Sequence, residues 1–166
     1  MLIHNKPQKL NKPIAAHDDA TYDIIMLRVV IDTDVMVAAL ESSTGASRQV
    51  LLRALNGEMH LLLSTTLMLE YEAVLTRSEV LRRSGLSSVD VMTVLDELAR
   101  ICTPVAFDYR WRPVAGDEDD DFVIETAING TADVITSFNA RDMERGAARF
   151  GIPVERPALV LRRMGQ

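Results

Sequence analysis

The chain has 166 residues, of which 48% are hydrophobic and 25% charged, and its formal net charge is −6 at pH 7. This length suits one domain with a hydrophobic core, and the acidic balance argues against a broad basic surface for duplex DNA, whose binding depends on phosphate neutralisation. No stretch approaches the ~20 consecutive apolar residues of a membrane span, and no apolar leader with a small-residue cleavage site is visible at the N-terminus. We therefore expect a single cytoplasmic domain that does not cross a membrane.

Lysine, histidine and cysteine are too scarce for several kinds of catalysis. All three lysines lie within the first twelve residues, so a Schiff-base lysine or a P-loop lysine is excluded from the rest of the chain. His60 begins an apolar run, HLLLS, and is expected at the edge of a strand rather than in a catalytic triad. The single cysteine, Cys102, can form no internal disulfide, as in a reducing compartment. Carboxylates remain as the candidate catalytic groups.

The first half of the chain alternates strand and helix patterns. Residues 1–26 show no periodicity and are predicted to be a flexible N-terminal extension, whereas residues 27–166 are predicted to form a single domain. The β-branched run at 29–31 predicts a buried strand, and helical patterns follow from Val35 and within STGASRQVLLRALNGE. A second strand is predicted at 60–64, and helices in TTLMLEYEAVLTR and SSVDVMTVLDELARI.

The second half continues this alternation. The patterns predict a strand in TPVAF, a helix in DEDDDFVIETAING, a strand in ADVITS, and a short strand and helix in GIPVERPALVLRRM. Strands that alternate with helices imply a parallel sheet covered on both faces. We therefore predict an α/β fold with three layers, α/β/α, around a central and mainly parallel sheet of about four or five strands.

Acidic residues follow the predicted strands. Asp32 ends the first strand, and Asp34 opens the next helix, where it is also a candidate helix cap. Glu70 lies about one and a half turns into the helix after the second strand, with Glu72 as a rival. An acidic run, 117–121, precedes a later helix. Because ligands bind outside the carboxyl ends of parallel strands, these three segments are expected to converge.

The expected convergence of these acids indicates a metal site. Ionised carboxylates in one pocket repel each other unless a cation or a proton compensates. With no histidine or cysteine ligands nearby, Mg²⁺ or Mn²⁺ is favoured over zinc, and such ions serve phosphate chemistry. Taken singly, the acidic run is typical of a solvated loop, Glu70 of an exposed helix and Asp34 of a cap. Their joint position after apolar strands favours the metal site.

Four segments in order, VVIDTDVMVAAL, SSTGASRQVLL, LMLEYEAVLTR and DEDDDFVIETAINGTADVITSFNARD, resemble the PIN domain. They are most similar to the branch of toxins of toxin–antitoxin systems, the VapC-like ribonucleases. The resemblance runs from about residue 29 to the last strand. It implies a PIN-like fold and metal-dependent hydrolysis of RNA, mainly single-stranded or exposed.

The resemblance also implies site residues. The family aspartate at the end of the first strand corresponds to Asp32, and the family glutamate of the following helix to Glu70. The third acid corresponds best to Asp120, with its neighbours Asp119 and Asp121 as alternatives. These acids would bind Mg²⁺ or Mn²⁺, which would activate a water for in-line attack on the phosphodiester.

Three further positions carry over from the family's supporting residues. Ser137 and Asn139 follow the strand ADVITS, where relatives usually have a Thr and an Asp or Asn that complete the site. Asp34 departs from the family pattern, because relatives usually read D-T-N-V. This second carboxylate would either raise the demand for a metal or act as the helix cap.

RNA and protein partners follow from the resemblance. Family members commonly form homodimers and are inhibited by a small antitoxin protein, whose arginine would suit an acidic pocket. An aromatic ring, Tyr109 or Trp111, is a candidate for stacking on a base. Five arginines are candidates for guiding the RNA backbone: Arg48, Arg77, Arg110, Arg112 and Arg141.

Two alternatives stay open. The haloacid-dehalogenase phosphatases also place D-x-D after a first strand, and DTDVM half-matches that signature, but their chemistry needs a lysine that the body of the chain lacks. A catalytically impaired PIN-like domain could instead act as an RNA-binding or partner-binding module, which the substitution at Asp34 allows.

Overall fold

The computed structural model describes residues 26–108 and 121–165. Within these ranges strands and helices alternate along the chain, as expected for an α/β fold. The strands are β1 (Arg28–Ile31), β2 (His60–Ser64), β3 (Thr103–Val105), β4 (Val134–Thr136) and β5 (Val154–Glu155). The helices are α1 (Thr33–Glu41), α2 (Ala46–Leu55), α3 (Thr65–Leu75), α4 (Ser78–Ser84), α5 (Ser88–Ile101), α6 (Asp121–Asn129), α7 (Ala140–Ala148) and α8 (Pro157–Met164).

The five strands form one parallel sheet in the order β3-β2-β1-β4-β5. The central strand β1 pairs with β2 on one side, where Val29 lies opposite Leu61, and with β4 on the other, where Val29 lies opposite Val134. From β1 the chain first builds outwards to β2 and β3, and later crosses to β4 and β5 on the other side. The carboxyl ends of β1 and β4 therefore flank the point where the strand order reverses, which is where ligands bind in such sheets.

Among the described residues, one hydrophobic core fixes this sheet between helices. Val29 and Val30 of β1 are both fully buried although their side chains point to opposite faces, so both faces of the central strand are covered. On α3, Leu67, Tyr71 and Leu75 recur at four-residue spacing and are fully buried. The predicted α/β architecture with a central parallel sheet is confirmed.

Two helices are additions to the predicted pattern. The short helix α4 ends at Gly85, whose φ of 71° is the left-handed conformation that glycine adopts readily. The helix α7 has the polar sequence ARDMERGAA, and only Met143, Gly146 and Ala147 are buried. The buried residues of α7 recur at helical spacing, so the sequence carries a periodic signal for this helix that the predicted pattern missed.

Several expectations concern segments outside the described residues. These are the flexible extension, apart from Met26, and the acidic run up to Asp120. The candidate RNA contacts Tyr109, Arg110, Trp111 and Arg112 also lie there. Among the described residues, no helix has the length and apolar character required to span a membrane.

Candidate active site

Asp32 lies at the carboxyl end of β1 and begins helix α1 as its N-cap residue. Its Oδ1 accepts a hydrogen bond from the backbone N–H of Thr33 at 2.7 Å, and its Oδ2 accepts one from the Ser137 hydroxyl at 2.6 Å. Its own backbone N–H continues the ladder to the Thr136 carbonyl at 2.9 Å. Asp32 is only 6% exposed, and its carboxylate is held in one orientation by the first residue of α1 and by the residue after β4.

Ser137 connects the two strand ends. Besides donating to Asp32, its fully buried hydroxyl accepts the backbone N–H of Asn139 at 2.8 Å. Asn139 is the N-cap residue of α7, with no side-chain hydrogen bond to that helix's free N–H groups. The expected neighbours Asp32, Ser137 and Asn139 are therefore joined by consecutive hydrogen bonds.

Asp34 does not cap α1, so the expectation that it acts as the cap is wrong. Asp32 holds the N-cap position, while Asp34 lies within the first turn. The Oδ2 of Asp34 instead accepts the backbone N–H of Phe138 at 2.9 Å, across the boundary between β1 and β4. The two aspartates thus both connect α1 to the segment after β4.

The carboxyls of Asp32 and Asp34 also lie within hydrogen-bonding reach of each other. Burial raises the pKa of Asp34, while hydrogen bonds from Phe138, the Asp32 side chain, Val35 and Asn139 act in the opposite direction. The Oδ1 of Asp34 is buried and has no hydrogen-bond partner among the described residues. Two neighbouring carboxyls need a proton or a cation between them, so the pair is suited to hold positive charge.

Tyr71 of α3 contacts the carboxyl end of β1. Its side chain is fully buried on α3, and its hydroxyl donates a hydrogen bond to the Ile31 carbonyl, one residue before Asp32. Burial raises the pKa of Tyr71 well above its ordinary value, and the negative charges of Asp32 and Asp34 add to this effect. The phenol therefore stays protonated and keeps its role as a donor.

The helix α6 brings a further acid to the same edge of the sheet. Asp121 is its first described residue and is 1% exposed. A helix between two parallel strands runs back against them, so its N-terminus lies at the carboxyl edge of the sheet, where Asp32 also lies. The Thr126 hydroxyl is hydrogen-bonded to the Ser64 hydroxyl at the end of β2 at 2.7 Å, which fixes α6 against the sheet.

Glu125 is a buried acid that sequence reasoning missed. It is fully buried on α6 and lies one helical turn after Asp121, on the same face. A charged residue inside the apolar stretch FVIETAI is the signal that could have identified it, since a glutamate is rarely buried without a partner.

Glu70, with its rival Glu72, is the remaining predicted ligand on a described helix. Glu70 is half-buried on α3, next to Tyr71, and Glu72 is exposed. Asp119 and Asp120 lie outside the described residues. Within the described ranges, no group of three or more His, Cys, Asp or Glu side chains is arranged to hold a metal ion. The oxygen donors of Asp32 and Asp34, including the unpartnered Oδ1, nevertheless have the chemistry that Mg²⁺ or Mn²⁺ prefers.

Three of the candidate RNA-binding arginines are described. Arg48 donates to the Ala39 carbonyl at 3.4 Å, near the end of α1, whereas Arg77 precedes α4 and Arg141 lies in the first turn of α7, and both are exposed. His60 begins β2 and is exposed, as expected for a strand edge. Since it lies at the amino end of its strand, it is at the opposite edge of the sheet from Asp32.

Comparison with known families supports the resemblance to the PIN domain. The family model described as PIN domain matches residues 28–141, which is more than half of the chain. A search of curated proteins finds no match. The matched range contains Asp32, Asp34, Glu70 and Asn139 and ends shortly after the start of α7.

Proposed function

The chain belongs to the PIN domain family, and from this premise we propose that it is a metal-dependent endoribonuclease that hydrolyses phosphodiester bonds of RNA. PIN domains are generally nucleases, and those nucleases generally use divalent metal ions. We propose Mg²⁺ or Mn²⁺ as the ion and single-stranded or exposed RNA as the substrate. The family also weighs against a haloacid-dehalogenase phosphatase.

One observation carries the proposal. Asp32 is buried at the carboxyl end of the central strand, and its two oxygens are held by the Thr33 N–H and the Ser137 hydroxyl. With Asp34 beside it, this pair concentrates negative charge at the point where the strand order reverses. Preorganised carboxylates at such a point favour a bound cation.

Each residue has a proposed role. Asp32 and Glu70 would bind the ion together with Asp120, or with its neighbours Asp119 and Asp121. The bound ion would lower the pKa of a water molecule and offset the negative charge that develops on phosphorus. Ser137 would hold the orientation of Asp32, and Asn139 would support the site beside it. Asp34 would lie close enough to Asp32 to interact with the same metal ion.

Cleavage of a labelled single-stranded RNA by the purified chain tests this proposal. We expect cleavage in Mn²⁺ or Mg²⁺ and none in EDTA. Asp32→Asn should lower kcat at least ~100-fold, because the neutral amide is a weak ligand for a hard cation. Asp96→Asn, which changes an exposed acid on α5, is the matched control and should cleave like the unchanged protein.

Intact RNA in every reaction with folded protein would refute the nuclease proposal. It would favour the second candidate, a catalytically impaired PIN-like domain that binds RNA or a protein partner. The observation that favours this candidate is Asp34, a carboxyl at the position where relatives usually have Asn. Burial raises the pKa of Asp34 and so disfavours its ionised form. RNA binding without turnover, measured in the same samples, would identify such a module.

We further propose that the chain is the toxin of a toxin–antitoxin pair and acts as a homodimer. This proposal rests on the family branch that the sequence resembles. Induced expression should arrest bacterial growth, and Asp32→Asn should relieve the arrest. A small protein that restores growth by binding the chain would be the antitoxin, and light scattering of the purified chain should give the mass of a dimer. Unimpaired growth at full expression would contradict the toxin role.

A further inference from the structure

A cavity of about 380 Å³ lies beside the acidic residues. Its wall is formed by the last turns of α1, the first turns of α2 and α8, and the segment after β4. The lining is largely apolar, with Ala38, Phe138 and Pro157 among its residues, and Ser42, Ser47 and Arg156 supply the polar groups. Such a mixture suits a ligand with both a ring and a charged group.

The cavity adjoins the acidic pair directly. Phe138, which lines it, donates its backbone N–H to Asp34, and Ala38 lies one helical turn after Asp34 on the same face of α1. Four residues correspond to a rise of about 6 Å along the helix. A ligand in the cavity would therefore lie next to a group bound at Asp32 and Asp34.

Two helix N-termini meet at this cavity. The helix α2 begins after Gly45, and α8 begins after Arg156, and neither of these N-cap residues makes a side-chain cap hydrogen bond. The first N–H groups of a helix have no partner within the helix and carry partial positive charge. Those of Ser47 and Ala158 belong to residues that line the cavity.

A largely buried serine also faces the cavity. Ser47 lines it and is only 4% exposed, and its hydroxyl has no hydrogen-bond partner among the described residues. A hydroxyl that faces a cavity without a protein partner bonds to water or to a ligand there. The Ser47 hydroxyl can donate to an anion in the cavity.

The charged residue that lines the cavity is an arginine. Arg156 lines it, is exposed and forms no ion pair with another described residue. The carboxylates that precede Ser42 and Arg156 in the sequence are paired with other arginines, since Glu41 binds Arg83 at 2.7 Å and Glu155 binds Arg163 at 2.6 Å. The guanidinium is therefore available for a phosphate group.

We propose that this cavity binds the nucleotide next to the cleaved bond of a single-stranded RNA, an inference that rests on the proposed function. Its phosphate is bound by Arg156, the Ser47 hydroxyl and the free N–H groups of the two helices. Its base or sugar ring packs on Phe138, which is 46% exposed although it is large and aromatic. The cavity is thus a substrate subsite that sets the position of the RNA relative to Asp32.

Amide NMR of the full ¹⁵N-labelled chain in EDTA, titrated with 5′-AMP, tests the subsite without requiring catalysis. We expect shifts at the amides of Ser47, Phe138 and Ala158, and weaker binding of adenosine or inorganic phosphate alone. Arg156→Gln and Ser47→Ala should each weaken AMP binding about tenfold, because each removes a hydrogen bond to a charged group. Arg162→Gln, at the exposed other end of α8, is the matched control and should bind like the unchanged protein.

RNA cleavage separates this subsite from the catalytic residues. Arg156→Gln should raise KM about tenfold with kcat nearly unchanged, because it removes binding that is equal in substrate and transition state. Asp32→Asn should show the opposite pattern, with AMP affinity retained and cleavage lost.

The outcomes are distinguishable from those of the proposed function. AMP shifts at the cavity in a protein that cleaves no RNA would refute the nuclease and leave the nucleotide site standing. Cleavage by the unchanged protein with no AMP shift at the cavity, or with Arg156→Gln and Ser47→Ala matching Arg162→Gln, would overturn the subsite and leave the nuclease standing.

Discussion

At the scale of single residues, the site depends on a few side chains that satisfy two partners at once. The Ser137 hydroxyl donates to Asp32 and accepts from the backbone of Asn139. Asp32 both caps α1 and receives this hydroxyl. Because the Ser137 hydroxyl and the Asp32 carboxylate are buried, loss of the hydrogen bond between them is expected to be costly.

Ser137→Ala should therefore cost about 1–3 kcal/mol of unfolding free energy and lower kcat for RNA, since it leaves an Asp32 oxygen and the Asn139 N–H without this partner. Urea denaturation and cleavage assays measure the two effects. Ser137→Thr keeps the hydroxyl and should retain activity. Equal activity of the Ala and Thr variants would show that the hydroxyl does not position Asp32.

Asp34→Asn should stabilise the protein in EDTA, and increasingly so as the pH rises. Burial raises the pKa of Asp34 above its ordinary value of 3.8, so the folded protein retains this proton more strongly than the unfolded chain. The stability linked to the protonated form is present below the ordinary pKa and is lost as the pH rises through the raised value. Asn does not titrate, and its amide can donate to Asp32.

Unfolding free energies of the Asp34→Asn and unchanged proteins at pH 3.5, 5 and 7 in EDTA measure this difference. It should be smallest at pH 3.5 and largest at pH 7. A difference that does not vary with pH would mean that Asp34 titrates normally in the fold.

At the scale of elements, local capping determines where helices begin. The helix α5 starts with a capping box, in which the Ser87 hydroxyl accepts the Asp90 N–H at 3.2 Å and the Asp90 carboxylate accepts the Ser87 N–H at 2.9 Å. The signal is local, with the acid three residues after the serine, so a sequence pattern can predict it. By contrast, α1 is capped by Asp32, which directly follows β1, whereas the sequence pattern suggests Asp34 for this role.

Ser87→Ala should destabilise the protein by about 1 kcal/mol, as expected for loss of an N-cap. The hydroxyl and N–H of Ser87 hold the pKa of Asp90 below its ordinary value of 3.8. The stability that the Asp90 carboxylate contributes is therefore present above that pH and lost as the pH falls through the lowered value.

Asp90→Asn should accordingly be less stable than the unchanged protein at pH 6, and the difference should shrink with acidification to pH 3. Thermal unfolding at both pH values measures it. Asp96→Asn, another exposed acid on α5, serves as the control and should show no such trend. A difference that persists at pH 3 would exclude the ionised carboxylate as its source.

At the scale of the whole molecule, close packing around Gly130 fixes α6 against the sheet. Gly130 follows α6, and a Cβ there would lie 2.9 Å from the Leu62 and Val105 side chains and from the Thr126 carbonyl. The Arg28 guanidinium also donates to the Gly130 carbonyl at 2.8 Å. The packing of β1, β2 and β3 on the end of α6 therefore leaves no room for a side chain.

Gly130→Ala should destabilise the fold by about 1–3 kcal/mol, because a contact with backbone cannot be relieved by a rotamer change. Gly165→Ala, where a Cβ would make only ordinary contacts, should be nearly neutral. Denaturant unfolding of both variants measures the difference. Equal unfolding free energies of the two variants would show that the end of α6 can shift to accommodate a methyl group at Gly130.

Local patterns determined much of this protein. The apolar runs of β1 and β2, the helical spacing of α3 and α5 and the alternation of strands with helices are properties of neighbouring residues, so they predicted an α/β fold with a parallel sheet. The same patterns placed Asp32 at a strand end. Ser137 and Asn139 were predicted from the resemblance to the PIN domain. In the structure Ser137 is hydrogen-bonded to Asp32, and Asn139 is hydrogen-bonded to Ser137.

Only the tertiary structure decided how distant segments meet. The pairing of β1 with β4 brings Phe138 to Asp34 and the Ser137 hydroxyl to Asp32, across more than one hundred residues of sequence. The cavity lined by Ser47 and Arg156 forms where the first turns of α2 and α8 meet. The burial of Glu125 likewise depends on how α6 packs against the rest of the fold. Periodicity reports which face of an element is apolar, but not which other element will cover it, because that depends on the packing of the whole core.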